Sequence, residues 1–173
     1  INGYTTYSHK KDILCWQLQI NGSTVMVDDP LHHIGMKELA KRSSGHVLVA
    51  GLGMGIVVRF LLDNPEVKSI TVYEINQDVI DLISPLMKDS RLRIIKGDFI
   101  QEQPFRDPKY NTVIIDIWVS GEGIKPYVAG FPSFELPMTI FPLMVRANTC
   151  AENVFVWGLK DHSFNPSIPE VEK

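Results

Sequence analysis

The sequence predicts an α/β domain built on a doubly wound, mostly parallel sheet with a β-hairpin ahead of it, and three observations carry this expectation. From residue 46 onward, short apolar runs (VLVA, ITVY, LRII, TVIID) alternate with helical or loop segments, the order of βαβ units. The runs are continuous rather than alternating, as strands covered on both faces should be. Before them, ILCWQLQI and STVMV flank Asn21-Gly22, a strong short-range hairpin signal. At 173 residues and 45% hydrophobic composition, the chain can bury one sizeable core but not two ordinary ones. A single domain is expected: residues 1–45 as hairpin and leading helix, 46–160 as a Rossmann-like core, and 161–173 as a tail.

In chain order, Asn21-Gly22 supplies the two positive-φ positions of a type I′ turn. A two-residue loop would pair Ile20 with Ser23, Leu18 with Val25 and Trp16 with Val27, and these should form one apolar face lying on the main body. Gln17, Gln19 and Thr24 fall on the other face. LHHIGMKELAKR reads as a helix after Asp29-Pro30, and Ser43-Ser44-Gly45 closes it. GIVVRFLLDN is expected to be the first core helix. In QDVIDLISPLM, the positions of Val79, Ile80, Ile83 and Met87 make one buried helical stripe. Residues 120–150 mix prolines and glycines with apolar residues, which suggests an ordered loop and a helix over 138–148, and NVFVWGL reads as a last strand. No internal repeat or low-complexity tract is visible.

Bulk charge narrows the partners. A net charge of −3, with Lys and Arg scattered, lacks the electrostatic footprint of a nucleic-acid binder. A small-molecule acceptor and no nucleic acid are therefore expected. Cys15 and Cys150 fit no zinc or C-x-x-C spacing and read as reduced thiols. No ligand spacing such as H-E-x-x-H occurs, so no metal is expected. No apolar run approaches the ~20 residues of a membrane span. The chain begins at Ile1 with no basic-then-apolar leader; it reads as trimmed, and the cytoplasm is the default compartment.

The chemistry concentrates at a strand, then Gly51-Leu52-Gly53-Met54-Gly55, then a helix, then a second strand ending at Glu74. Glycines at a strand-to-helix bend allow sharp turning and close ligand approach, and the following helix presents N–H groups toward the ligand. Glu74 lies 19 residues after Gly55, where an acidic side chain in a doubly wound sheet accepts both hydroxyls of a ribose. The spacing is G-x-G-x-G rather than the dinucleotide G-x-G-x-x-G, because Ile56 stands where the third glycine would be. A nucleoside site without pyrophosphate recognition is expected, and an NAD-dependent dehydrogenase falls behind. Asp98, ending the third strand, is placed to accept from an adenine amine; alone it would read as a turn or helix cap.

At these residues the sequence resembles the class I S-adenosylmethionine-dependent methyltransferases, and among them the spermidine synthase-like branch. VLVAGLGMG resembles the family's first motif, VYEIN its ribose-binding acidic motif, SRLRIIKGDF its adenine-binding segment and TVIIDI its fourth strand. The hairpin and the HHIGMKEL helix are similar to the approach of the aminopropyltransferases to this domain. The resemblance covers roughly residues 18–118. It implies S-adenosylmethionine or its decarboxylated form as cofactor, bound by Gly51, Leu52, Gly53, Gly55, Glu74, Ile75, Asp98 and Phe99. The departures are equally specific. Polyamine synthases carry G-G-G-D-G-G and D-S-S-D-P, where this chain has AGLGMG and Asp116-Ile117-Trp118-Val119, and the glutamine of their hairpin is absent.

Methyl transfer from a sulfonium needs a held donor, an aligned nucleophile and exclusion of water. Asp116, at the end of the fourth strand, is the candidate catalytic residue, orienting or deprotonating the acceptor; Trp118 could wall the methyl group. His32 and His33 could reach the acceptor side from the leading helix. The expectation is a small-molecule methyltransferase. Its alternatives are a spermidine synthase-like aminopropyltransferase and a non-catalytic scaffold, and a homo-oligomer could cover an exposed sheet edge.

Overall fold

Five strands pair side by side in one sheet, and the central ones bury both faces. The structure, a computed structural model, describes residues 2–7, 12–105, 110–117 and 141–157. The strands β4 (Gly45–Ala50), β5 (Val67–Glu74), β6 (Leu92–Lys96), β7 (Tyr110–Ile115) and β8 (Ala151–Val156) make one sheet in the order β6-β5-β4-β7-β8, and every pairing in it is parallel. The first strand of the core is central and the order reverses on either side of it, which is the doubly wound arrangement expected. In such a sheet ligands bind outside the carboxyl ends of the strands where the order switches, here at the tip of β4.

The expected burial holds for the central strands and fails at the edge. Val47, Leu48, Val49 and Ala50 are fully buried, whereas β6 carries only partly buried and exposed positions; an edge strand has a neighbour on one side only. Two apolar clusters, one on each side of the sheet, divide the residues of β4: Val47 and Val49 belong to one, Leu48 and Ala50 to the other. The first also contains Met36 and Leu39 of α1 (Pro30–Lys41) and Val58 and Leu61 of α2 (Ile56–Leu62). The second contains Met144 and Ala147 of α5 (Phe141–Cys150).

Helix boundaries follow local chemistry. Asp29 caps α1 by accepting from His32 N–H at 2.9 Å, with Pro30 in the first turn, where a missing N–H costs nothing. Asn76 caps α3 (Gln77–Ile83) in the same way. The helix then tightens into a 3₁₀ turn over Ser84–Leu86 containing Pro85, so Met87 lies beyond α3 rather than on its stripe. Val79 and Ile83 are buried as expected. Arg91 fastens the start of β6 to the turn before β5: its guanidinium donates to the Leu62 and Val67 carbonyls and to Asp89.

The hairpin belongs to a second sheet of three antiparallel strands, β1 (Asn2–Tyr7), β2 (Asp12–Ile20) and β3 (Ser23–Val27). Asn21 and Gly22 have φ of 51° and 79°, as the turn requires. The expected register fails beyond the first pairs. Ile20 faces Ser23 and Gln19 faces Thr24, but Leu18 faces Met26 and Gln17 faces Val27, because a bulge lies between. Val25 is the extra residue, so neither Leu18–Val25 nor Trp16–Val27 forms. An extra residue in one strand re-aims the side chains beyond it. Trp16 is 49% exposed, so the apolar face does not lie wholly on the body. The strand β1 was not read from the sequence, because NGYTTY has no period-two alternation of apolar and polar residues.

Among the described residues no helix is long and apolar enough to cross a membrane. The tail expected at 161–173, Trp118 and most of the 120–150 segment lie outside the described residues.

Ile114 is fully buried on β7 between Val49 of β4 and Phe155 of β8. Ile114→Ala should therefore lower the unfolding free energy by about 2 to 5 kcal/mol, read from urea titration; a loss under about 1 kcal/mol would show that this layer is not tightly packed.

Candidate functional site

The tip of β4 is shaped by three glycines with φ of 90°, 51° and 74° at Gly51, Gly53 and Gly55, a region in which side-chain-bearing residues are strained. Space constrains each as well. A Cβ on Gly51 would overlap the Asp116 carbonyl oxygen, one on Gly55 would overlap the end of Met87, and one on Gly53 would lie 2.5 Å from Met26 Sδ.

Glu74 ends β5 beside this bend and is only 8% exposed. Its Oε2 accepts from Leu52 N–H at 2.9 Å and its Oε1 from Asn76 N–H at 2.8 Å. One carboxylate thus bridges the loop after β4 to the turn after β5. A carboxylate offers about four lone-pair positions, so each oxygen keeps capacity for a further donor. The bend is also held by Gly51 N–H donating to the Tyr73 carbonyl and Gly55 N–H to that of Leu52.

The remaining candidates divide by what they touch. Leu52 sends its side chain into the core and offers the bend only its main chain. Ile75, next to Glu74, is 62% exposed. Asp98 caps α4 (Phe99–Glu102): its Oδ1 accepts from Ile100 and Gln101 N–H. Gly97 N–H donates to the Glu74 carbonyl, which ties the β6 tip to the β5 tip. The Phe99 ring is buried, edge-on to Phe105 at 5.4 Å and to Tyr73 at 6.1 Å. Asp116 follows β7, half-buried; its N–H donates to the Ala50 carbonyl and its own carbonyl packs on Gly51. The structure therefore gathers Gly51, Gly53, Gly55, Glu74 and Asp116 around one bend, with Ile75 and Asp98 one strand further along.

Two contacts at this edge were not singled out from sequence. Met26, brought opposite Leu18 by the bulge, accepts through Sδ from Met54 N–H at 3.1 Å. His32 stacks on Trp157, which follows β8, with centroids 4.6 Å apart. Its Nε2 is buried without a hydrogen-bond partner among the described residues. Burial lowers the His32 pKa and neighbouring His33 lowers it further, against an opposing effect of Asp29 and Asp28. His33 instead meets the Phe60 ring edge-on. The groove lined by Lys37, Lys41, Phe60 and Asp63, about 440 Å³, opens near the turn before β5, at the opposite edge of the sheet.

A parallel sheet in this order, bent by glycines at its central tip and bridged there by an acidic residue, is a Rossmann-like fold. No family model matches the chain. Two curated relatives are similar to it, both Ribosomal RNA small subunit methyltransferase A of Mesomycoplasma hyopneumoniae. The protein of strain J is 26% identical over 119 residues, covering 61% of this chain and 45% of the relative. That of strain 232 is 28% identical over 91 residues, covering 51% and 34%. The chain thus spans less than half the length of the curated relatives it matches. Among solved structures, spermidine synthase from Thermotoga maritima aligns with a TM-score of 0.47 at 18% identity, over 65% of this chain and 46% of that one. A dimethyladenosine transferase from Plasmodium falciparum gives 0.41 at 21% identity, over 51% and 32%.

These relatives correct one expectation. A small-molecule acceptor with no nucleic acid expected conflicts with proteins named for ribosomal RNA. That expectation rested on net charge and on Lys and Arg scattered along the sequence, neither of which locates a field on the folded surface.

Two outcomes follow from this geometry. Gly22→Ala meets open space and should cost about 1 kcal/mol for its left-handed backbone. Gly51→Ala adds collision with a main-chain oxygen and should cost clearly more, at least about 2 kcal/mol; equal losses in urea would contradict the packing at Asp116. For His32, protonation charges a ring taken out of water, so the unfolded chain binds that proton more readily. Stability from the neutral ring is full above the ordinary histidine value of 6.5 and is lost as the pH falls from there through the lower folded value. Between pH 7.5 and 5.5, His32→Leu should lose less stability than the native chain, and an identical loss would mean that His32 protonates freely in the fold.

Proposed function

We propose that this chain binds S-adenosylmethionine at the carboxyl edge of its sheet and is an S-adenosylmethionine-dependent methyltransferase with an RNA acceptor. The observation that carries the donor site is the Glu74 bridge: a nearly buried carboxylate, at the tip of the strand beside the glycine bend, with hydrogen-bonding capacity left over. The acceptor class is supported by the names of the curated relatives.

The residues fit such a donor in detail. Gly53 and Gly55 border the flexible ends of Met26 and Met87, so a ligand reaches their main chain by shifting those ends, whereas the space at Gly51 is filled by the Asp116 carbonyl. Glu74 is fixed by its two N–H partners and accepts the ribose hydroxyls with its remaining lone pairs, with no rearrangement needed. Ile75 offers an exposed apolar side chain next to it for one face of a base. Asp98 has one oxygen committed to the α4 cap, leaving the other to accept from an adenine amine. Phe99 holds that segment through its buried ring, and Leu52 contributes main chain. When bound, the donor supplies a transferable methyl on its sulfonium. Asp116, half-buried beside Gly51, orients the acceptor or takes its proton, and the packed strand tips exclude water.

A second reading, aminopropyl transfer from the decarboxylated donor, is favoured by the antiparallel sheet and helix α1 that precede β4. It is weakened by the absence of a second aspartate after Asp116.

Calorimetry with S-adenosylmethionine, its decarboxylated form and methylthioadenosine separates these readings. Glu74→Ala should weaken S-adenosylmethionine binding by about 1 to 3 kcal/mol, as when hydrogen bonds to a charged group are lost; Glu74→Gln, which keeps one accepting oxygen, should lie between. An unchanged affinity in a variant that unfolds like the native chain would refute the assignment, and preference for the decarboxylated donor would favour aminopropyl transfer.

A further inference from the structure

Of the five main-chain N–H groups in the bend, three are committed to oxygen acceptors inside the protein: Gly51 to Tyr73, Leu52 to Glu74 and Gly55 to Leu52. No described group accepts from Gly53 N–H. Met54 N–H has only the Met26 thioether, at 3.1 Å, and a thioether is a weak acceptor. The same sulfur fills the space over Gly53 that a Cβ would occupy. Of two neighbouring loop donors, one thus has no acceptor among the described residues and the other has only a thioether on a flexible side chain from another sheet.

Met26 reaches this position because of the bulge in β3. A regular hairpin would place Val25 opposite the buried Leu18; the extra residue places Met26 there instead. Bulges recur where a side chain must be re-aimed at a site. The side chain so aimed is unbranched and polarizable, which suits a contact that must form and be released.

We propose that Met26 is a displaceable latch on the glycine bend and tunes donor affinity: a ligand carrying a carboxylate takes the Gly53 and Met54 N–H groups at the cost of displacing the thioether, whereas a ligand without one leaves the latch in place. The proposal rests on the donor-site reading above. A carboxylate accepting from two N–H groups forms charge-assisted bonds about twice as strong as neutral ones, and a thioether contact falls below the neutral case. Displacement by a carboxylate is therefore downhill, and a neutral ligand tail gains nothing by it. The latch therefore costs S-adenosylmethionine the contact that it must break and leaves a ligand without a carboxylate unaffected.

The test uses the full chain with Met26→Leu, which conserves volume while removing the acceptor, and Met26→Ala, which removes both. In the unliganded protein, amide exchange at Met54 should accelerate in both variants. With the latch gone, S-adenosylmethionine should bind about three- to tenfold more tightly, the effect of not having to break one weak hydrogen bond. Methylthioadenosine, which has no carboxylate, should bind with unchanged affinity. Unaltered Met54 exchange overturns the latch. So does weaker binding of both ligands in the variants, which would make Met26 a wall of the site, and so does equal affinity in native and variant chains. If neither ligand binds native or variant protein, the donor-site reading falls and takes the latch with it, an outcome distinct from ligands that bind but ignore residue 26.

Discussion

The carboxylate of Glu74 is the interaction on which the rest of this edge depends. A parallel sheet ends in loops whose N–H groups have no strand to pair with, and the bend after β4 is the most crowded of these ends. Glu74 supplies acceptors to two of the loops at once, Leu52 on one side and Asn76 on the other. Its burial is tolerable because both oxygens are hydrogen-bonded. Its backbone takes part as well, since the Glu74 carbonyl accepts from Gly97 N–H of the third loop. A single residue therefore fixes three loop ends relative to one another, the preorganisation a small polar ligand needs if binding is not to cost loop ordering.

Crowding explains why glycine is required and why three are present. Gly51 lies where the chain leaving β7 crosses the bend, so its neighbour is the Asp116 main chain, which has no freedom to withdraw. Gly53 and Gly55 meet methionines, Met26 and Met87, whose ends can move. The first glycine is thus set by the fold alone, whereas the other two border side chains that a ligand could displace.

Much of this was legible in the sequence, for identifiable reasons. The central strands were readable because full burial demands unbroken apolar runs, α1 because Asp29-Pro30 opens it, and α3 because Val79 and Ile83 mark its buried face. Glu74 could be placed from its distance to the glycines, since one helix and one strand fix that spacing. What escaped notice depends on contacts between distant segments. The Val25 bulge has no local signature, because Val25, Met26 and Val27 suit either register. Asp98 is a helix cap in the structure and a ligand contact only in the proposed reading, and its immediate neighbours in sequence do not separate the two. The acceptor class failed for a different reason: composition averages over a surface, and recognition does not.

The N-terminal unit bears on two points of the carboxyl edge. Met26 of β3 lies on the bend after β4, and His32 of α1 stacks on Trp157 after β8. Between these points lies Asp116, which follows β7, the strand that pairs with both β4 and β8. The second sheet and α1 thus frame the part of the edge where Asp116 lies, while Ile75 and Asp98 at the tips of β5 and β6 stand on the other side of the bend. In the proposed reading an edge divided in this way separates two tasks: the β5–β6 side would hold a nucleoside through fixed loop groups, and the β7 side, bordered by residues from outside the Rossmann-like core, would meet what reacts with it. The two sets of contacts meet at Gly53, where Met26 of the hairpin packs on the glycine bend, so a change in the hairpin reaches the bend through that one residue.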